Sequence, residues 1–148
     1  MTAVNVRRLA EADWPELMRM AAELFPDEDR GDLAVDMRRF LARGDGAVFV
    51  AEARGELVGY VQVGERPYAD GCASSPVAFI EEWYVGPDAR RRGVGRMLLR
   101  AAEDWARSRG RVEMASDSLL DNSESHAAHL GSGYAEVERA IRYRKPLI

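Results

Sequence analysis

Tyr84–Ala106 reads YVGPDARRRGVGRMLLRAAEDWA. It opens as the end of an apolar strand, turns at Gly86-Pro87, and crosses three consecutive arginines and two glycines. It finishes as a helix with Val94, Leu98, Ala101, Ala102 and Trp105 on one face. A helix N-terminus carries unpaired N–H groups and about half a positive charge. Small residues there let an anion approach the backbone. Arg90-Arg91-Arg92-Gly93-Val94-Gly95 between strand and helix therefore predicts a cradle for phosphate. A solvated arginine run before a glycine turn is the alternative. The spacing is neither Gly-x-Gly-x-x-Gly nor the nucleotide P-loop, which requires Lys-Ser or Lys-Thr after the glycine.

Outward from this junction the pattern alternates between strands and helices. Val4–Leu9 is short and β-branched, a strand. Asp13 with Glu16 three residues on predicts a capping box, followed by a helix with Leu17, Met20, Ala21 and Leu24 at helical spacing. Phe25-Pro26 ends that helix. A second helix covers Asp32–Ala42. Ala47–Ala53 and Leu57–Gly64 form a hairpin around Arg54-Gly55, and Arg66–Ser75 is a polar loop. Val77–Val85 is a strand, Val94–Ser108 the helix of the opening stretch, and Val112–Ala115 a further strand. Asn122–Gly131 is a short helix, and Tyr134–Val137 and Ala140–Arg144 read as late strands. The order βααβββαβαββ predicts one α/β domain over residues 1–148, with a central sheet and helices on both faces.

The bulk numbers agree with a single globular domain. The chain has 148 residues, 47% of them hydrophobic and 31% charged. That length buries about two thirds of the unfolded surface. Cys72 is the only cysteine, which excludes an intramolecular disulfide and a cysteine zinc site and fits a reducing cytoplasm. The start, MTAVNVRRLAEADW, lacks the apolar run of a signal peptide, and no stretch approaches a membrane span. A net charge of −4 argues against nucleic acid as the main partner and suits a cationic one.

Arg90 to Gly95 have the Arg-x-x-Gly-x-Gly form after a strand ending at Val85. This resembles the acetyl-CoA signature of the GCN5-related N-acetyltransferases, whose order of elements also matches nearly the whole chain. SSPVAFIEEWYVGPDARRRGVG, ASDSLLDNSESHAAHLGSGY and IRYRKPL are further similar to the bacterial aminoglycoside 6′-N-acetyltransferases. The resemblance implies a mixed, mostly antiparallel sheet flanked by helices, and acetyl-CoA as co-substrate. It also implies that the amides of Arg91, Arg92, Gly93, Val94 and Gly95 bind the CoA pyrophosphate, with side-chain charge from Arg90 and Arg92. Backbone N–H groups of the strand ending at Val85 would polarise the thioester, and Asn122 would touch the CoA arm, although an N-cap role is equally natural for it. Many relatives carry a tyrosine four residues before the Gly-aromatic step, held to protonate the departing thiolate. Here Gly133-Tyr134 is that step and the position is His129. Either His129 is the acid, or Tyr143 serves, or the thiolate leaves without one.

Acetyl transfer to an amine needs a proton acceptor, because a protonated amine has no lone pair. Glu81 and Glu82 are adjacent on a strand, so simple alternation points them to opposite faces. Phe79 and Trp83 share the parity of Glu81, which predicts an inward Glu81 and a solvated Glu82. An ion pair to an arginine is the alternative for Glu81. Asp117 ends a strand, where open sheets place ligands, and reads as an ammonium anchor, a base or a turn cap. A polycationic, hydroxyl-rich acceptor calls for carboxylates and aromatic walls. Phe25, Tyr68, Asp70, Glu81 and Asp117 are the candidates, with Trp14, Glu23, Asp27 and Glu28 near the first helix–helix turn. His126 and His129 lie three apart on one helix face, but a third ligand at sensible spacing is missing, so no metal site is expected. The expected activity is transfer of acetyl from acetyl-CoA to the 6′-amine of an aminoglycoside by direct attack. A transferase for polyamines or protein amines, and a CoA-binding sensor without turnover, are the alternatives. Ala140, Tyr143 and Leu147 alternate on a last strand with no later element to cover them, which predicts a homodimer.

Overall fold

Arg54 and Gly55 both adopt left-handed backbone, with φ of 52° and 78°, the geometry of a two-residue hairpin turn. That turn joins β2 (Gly46–Ala53) to β3 (Glu56–Arg66) as antiparallel neighbours. β1 (Val4–Arg8) pairs antiparallel with β2, and β4 (Val77–Val85) antiparallel with β3. β5 (Met114–Ser116) joins β4 in parallel, giving a five-stranded sheet of order β1-β2-β3-β4-β5. The computed structural model describes residues 3–148.

Three α-helices cover the sheet. α1 (Trp14–Leu24) and α2 (Arg30–Ala42) lie on one face, where Leu17, Met20, Leu33 and Met37 pack on Val48, Val50, Tyr60 and Tyr84. α3 (Val94–Ser108) covers the other face, with Val94, Leu98, Leu99 and Ala102 against Ala47, Val61, Val63 and Ile80. α4 (Ser123–Gly131) follows β5. β2, β3 and β4 each send side chains to both cores, while β1 and β5 add theirs on the α3 face.

Three expectations fail for identifiable reasons. Asp13 does not form a capping box with Glu16. Arg7 takes its carboxylate bidentately at 2.7 and 2.9 Å, and Glu16 accepts instead from Leu57 N at 3.0 Å. A charge-assisted fork of this kind outcompetes a cap. The late strands do not form either. Residues 135–148 carry no helix or strand and are exposed, Ile141 at 70% and Tyr143 at 89%. A strand exists only with a hydrogen-bonding neighbour, and no other strand lies beside this segment among the described residues.

The third failure concerns parity. Gln62 pairs with Glu82, but Val63 pairs with Ile80. Glu81 is thus an extra residue, a β-bulge. Before it, Phe79 lies opposite Gly64, whose missing Cβ is filled by the ring of Phe40 on α2. After it, Glu82 bonds to Tyr60 in the core under α1 and α2. The bulge therefore turns Phe79 and Glu82 to the same face, and Trp83 to the α3 face.

Candidate active site

The junction between β4 and α3 is a tight turn of unusual backbone. Arg90 is extended and its Nε donates to the Val85 carbonyl at 2.8 Å, which fixes the turn to the strand end. Arg91 is left-handed at φ 63°, and Gly93, the N-cap of α3, at φ 79°. Left-handed backbone costs a non-glycine residue about 1 kcal/mol, so Arg91 is held by its surroundings. Successive N–H groups in such alternating conformations converge into a concave anion site. The α3 N-terminus has no side-chain cap and no acid in its first turn, so its positive end is left uncompensated. A Cβ on Gly93 would meet nothing within 4 Å, so the space over the turn is open to a ligand. Gly95 serves packing: a Cβ there would lie 3.0 Å from the Trp83 ring, whose Nε1 donates to the Gly95 carbonyl at 3.2 Å. These residues fit a phosphate-bearing ligand such as CoA, while Val94, 2% exposed, anchors the turn in the core.

The fork between β4 and β5 lies beside this turn. The two strands pair only from Ala78↔Met114 to Ile80↔Ser116, while β4 runs on to Val85. Past Ile80 the β5 side of β4 has no strand on it among the described residues. His129 stands at this fork, with Trp83 and Tyr134 edge-on to its ring at 5.2 and 5.9 Å. Its Nε2 is 2.7 Å from Ser116 Oγ, and its Nδ1 is 2.7 Å from the Ser125 carbonyl. Both ring nitrogens are thus engaged by the protein.

The opposite face of β4 is acidic. Glu82, expected in solvent, is half-buried and accepts from the Tyr60 hydroxyl at 2.6 Å. Burial raises its pKa above the usual carboxylate range. The Tyr60 hydrogen bond opposes this, and the nearby charges of Glu28, Glu81 and Asp36 add to it. The same burial raises the Tyr60 phenol far above its ordinary value, so it stays a donor. Glu81 is forked by Arg66 at 2.6 and 3.0 Å, and that guanidinium stacks over the Phe79 ring at 3.5 Å. The ion-pair alternative for Glu81 is the arrangement observed.

The remaining candidates are more dispersed. Asp117 follows β5, is exposed, and has Arg142 Nη2 at 3.8 Å. Its charge also reaches Arg66 and so ties it to the Glu81 cluster. Phe25 closes α1 and packs on the core below α1 and α2. Tyr68 is 74% exposed and Asp70 lies on the same surface loop. Asn122 is the N-cap of α4, its Oδ1 accepting from Ser125 N at 3.1 Å, which leaves its NH2 for other partners. Sequence reasoning missed Arg66, Tyr60, Trp83 and Ser116. The one available signal was the pair Glu81-Glu82 inside an otherwise apolar strand.

An anion cradle on one side of β4 and a carboxylate cluster on the other describe an enzyme joining an anionic donor to a cationic acceptor. The sequence model of the acetyltransferase (GNAT) family matches residues 6–134, and the chain belongs to that family. Among its relatives, an aminoglycoside N(6′)-acetyltransferase type 1 of Klebsiella aerogenes is 42% identical, over 96% of each chain. One of Stenotrophomonas maltophilia is 41% identical, over 99% of this chain and 95% of its own. The fold superposes on AAC(6′)-Iy in complex with a bisubstrate analogue, CoA-S-monomethyl-acetylneamine, with a TM-score of 0.91 and 32% identity over 97% of this chain and 99% of that one.

The raised pKa of Glu82 has a consequence for stability. The folded chain holds this proton more tightly than the unfolded chain does. Stability therefore falls as pH rises from the ordinary carboxylate range through the shifted pKa of Glu82, and the loss is complete above it. Glu82→Gln keeps an acceptor for Tyr60 without the charge. We expect it to flatten that slope and to be more stable than wild type at neutral pH in urea unfolding across a pH series. An unchanged slope would assign the effect to another group.

Proposed function

We infer that this chain is an acetyl-CoA-dependent N-acetyltransferase that acylates the 6′-amine of aminoglycosides. The observation that carries the reading is the division of β4, with an uncompensated helix N-terminus beside one face and Glu81, Glu82, Glu28 and Asp36 grouped on the other. Acetyl-CoA supplies the acetyl group as an activated thioester. The amides of Arg91 to Gly95 hold its pyrophosphate, with Arg90 and Arg92 adding charge at the rim. Backbone N–H groups of β4 between Ile80 and Val85, lacking a strand on that side, donate to the thioester carbonyl as charge develops there. The acceptor amine attacks directly. Glu82 takes its proton, since a carboxylate with a raised pKa is the better base near neutrality. Glu81, with Arg66 balancing it, and Asp117 bind further ammonium groups of the acceptor, and Phe25, Tyr68 and Asp70 border that side. A cytoplasmic location follows from the need for acetyl-CoA.

The acceptor is tested by CoA release in the presence of an aminoglycoside, of spermine, or of no amine. Fast release with aminoglycosides alone is expected, and equal rates with spermine would overturn the substrate assignment. Gly93→Asp places a negative charge where the pyrophosphate is bound. Its KM for acetyl-CoA should rise at least about tenfold, a loss of roughly 1.4 kcal/mol, with the fold intact by circular dichroism. An unchanged KM would remove the cradle from the site.

We also propose a homodimer. The far edge of β5 is free, an open groove of about 440 Å³ lined by Val112, Met114 and Tyr134 runs beside it, and Ile141, Tyr143 and Leu147 are exposed nearby in sequence. An open edge and an unpaired apolar segment favour pairing between copies. Light scattering across a dilution series should give twice the chain mass of 16.5 kDa. A constant monomer mass would rule the dimer out.

A further inference from the structure

Direct attack by an amine leaves one arrangement at the fork without a task. Ser116 is the last residue of β5 paired to β4, and its Oγ lies 2.7 Å from His129 Nε2. His129 Nδ1 lies 2.7 Å from the Ser125 carbonyl oxygen, with Ser125 Oγ at 3.3 Å. A carbonyl only accepts, so in the neutral imidazole Nδ1 carries the hydrogen and Nε2 accepts from the Ser116 hydroxyl. Trp83 and Tyr134 hold the ring edge-on from two directions. A hydroxyl, a base within hydrogen-bond reach and a third group that orients the base form the arrangement that activates a nucleophile. Ser116 is also where β4 and β5 part, beside backbone N–H groups that can receive a developing oxyanion.

We propose that Ser116 is a second acetyl acceptor, so that without an amine the chain hydrolyses acetyl-CoA through an acetyl ester on Ser116. The inference rests on the reading above that the thioester lies in the fork. Ser116 Oγ forms the bond to the acetyl carbon as the carbon–sulfur bond breaks. The hydroxyl proton passes to His129 Nε2 and from there to the CoA thiolate, which leaves as the thiol. Water then attacks the ester, giving one proton to His129 Nε2. That proton returns to Ser116 Oγ as acetate departs. The sum is one thioester and one water converted to one acetate, one released proton and one thiol, with no other reactant. The orienting group is a carbonyl and not a carboxylate, so the imidazolium formed in each step is stabilised less than in a full triad, and the reaction is slower than transfer to an amine.

The test uses the whole chain with acetyl-CoA and no amine. Samples are quenched in acid, digested and mapped by mass spectrometry while thiol release is followed in parallel. An acetyl group on the peptide containing Ser116 is expected, together with thiol release that drops at least about tenfold in Ser116→Ala and in His129→Gln. Acetyl-CoA binding by Ser116→Ala is measured by calorimetry alongside. Absence of the acetyl-peptide from wild type, with equal thiol release in wild type and Ser116→Ala, would overturn the proposal. Aminoglycoside-dependent release in that same wild-type preparation would show that the transferase reading stands without it. Failure of wild type to bind acetyl-CoA would bring down both.

Discussion

Beyond Ile80, β4 keeps its pairing to β3 and loses its pairing to β5. That divergence is the constraint on which the rest of the site depends. A parallel pair of strands that stayed together would satisfy every backbone group and leave no place for a donor to lie against the sheet. The extra residue at Glu81 stands at the same point, and bulges bend a strand and increase its twist. The bend accompanies the parting of β4 from β5 and carries the last residues of the strand to the Arg90–Gly95 turn. One inserted residue thus shapes the cleft, sets the facing of two carboxylates and brings Trp83 over Gly95.

The two faces of β4 have opposite electrostatic character. On the α3 side, the helix N-terminus and the arginine run are positive. On the α1–α2 side, Glu82 sits among Glu28, Glu81 and Asp36, and Arg66 and Arg142 offset only part of that charge. A positive site and a negative one thus lie on different sides of one strand, the division that the proposed function assigns to an anionic donor and a cationic acceptor. The net charge of −4 conceals this division, since it sums a local positive site and a local negative one.

The fold was legible where its signals are local. The Arg54-Gly55 turn, the helix over Val94–Ser108 and the glycine turn before it each depend on residues adjacent in the chain, and the boundaries of β4 and α3 match the residue pattern. What was not legible depends on neighbours distant in sequence. Asp13 reads as a cap until Arg7 arrives from β1 to claim it. Glu82 reads as solvated until the register of β3 against β4 reveals the bulge and sets Tyr60 against it. The last residues read as strands by alternation alone, yet a strand needs an edge, and alternation says nothing of where one is free.

Burial of Glu82 leaves the acidic face with a charge that the fold only partly compensates. A half-buried carboxylate with three acidic neighbours raises the energy of the folded state whenever it is ionised. The Tyr60 hydroxyl returns part of that energy, and among the described residues no salt bridge to Glu82 returns the rest: Arg66 is committed to Glu81 in a fork held flat on Phe79. A single cation directed at Glu82 would relieve the strain, and the same is true of a proton. In the proposed reaction an ammonium entering the cleft supplies both in turn, first as a counter-ion and then, on losing its proton to the carboxylate, as a neutral amine next to the fork. In the proposed reaction, the unpaired charge that weakens the free protein is therefore the feature that draws the acceptor in and deprotonates it, and a side chain of the protein in the acceptor's place would cancel both effects.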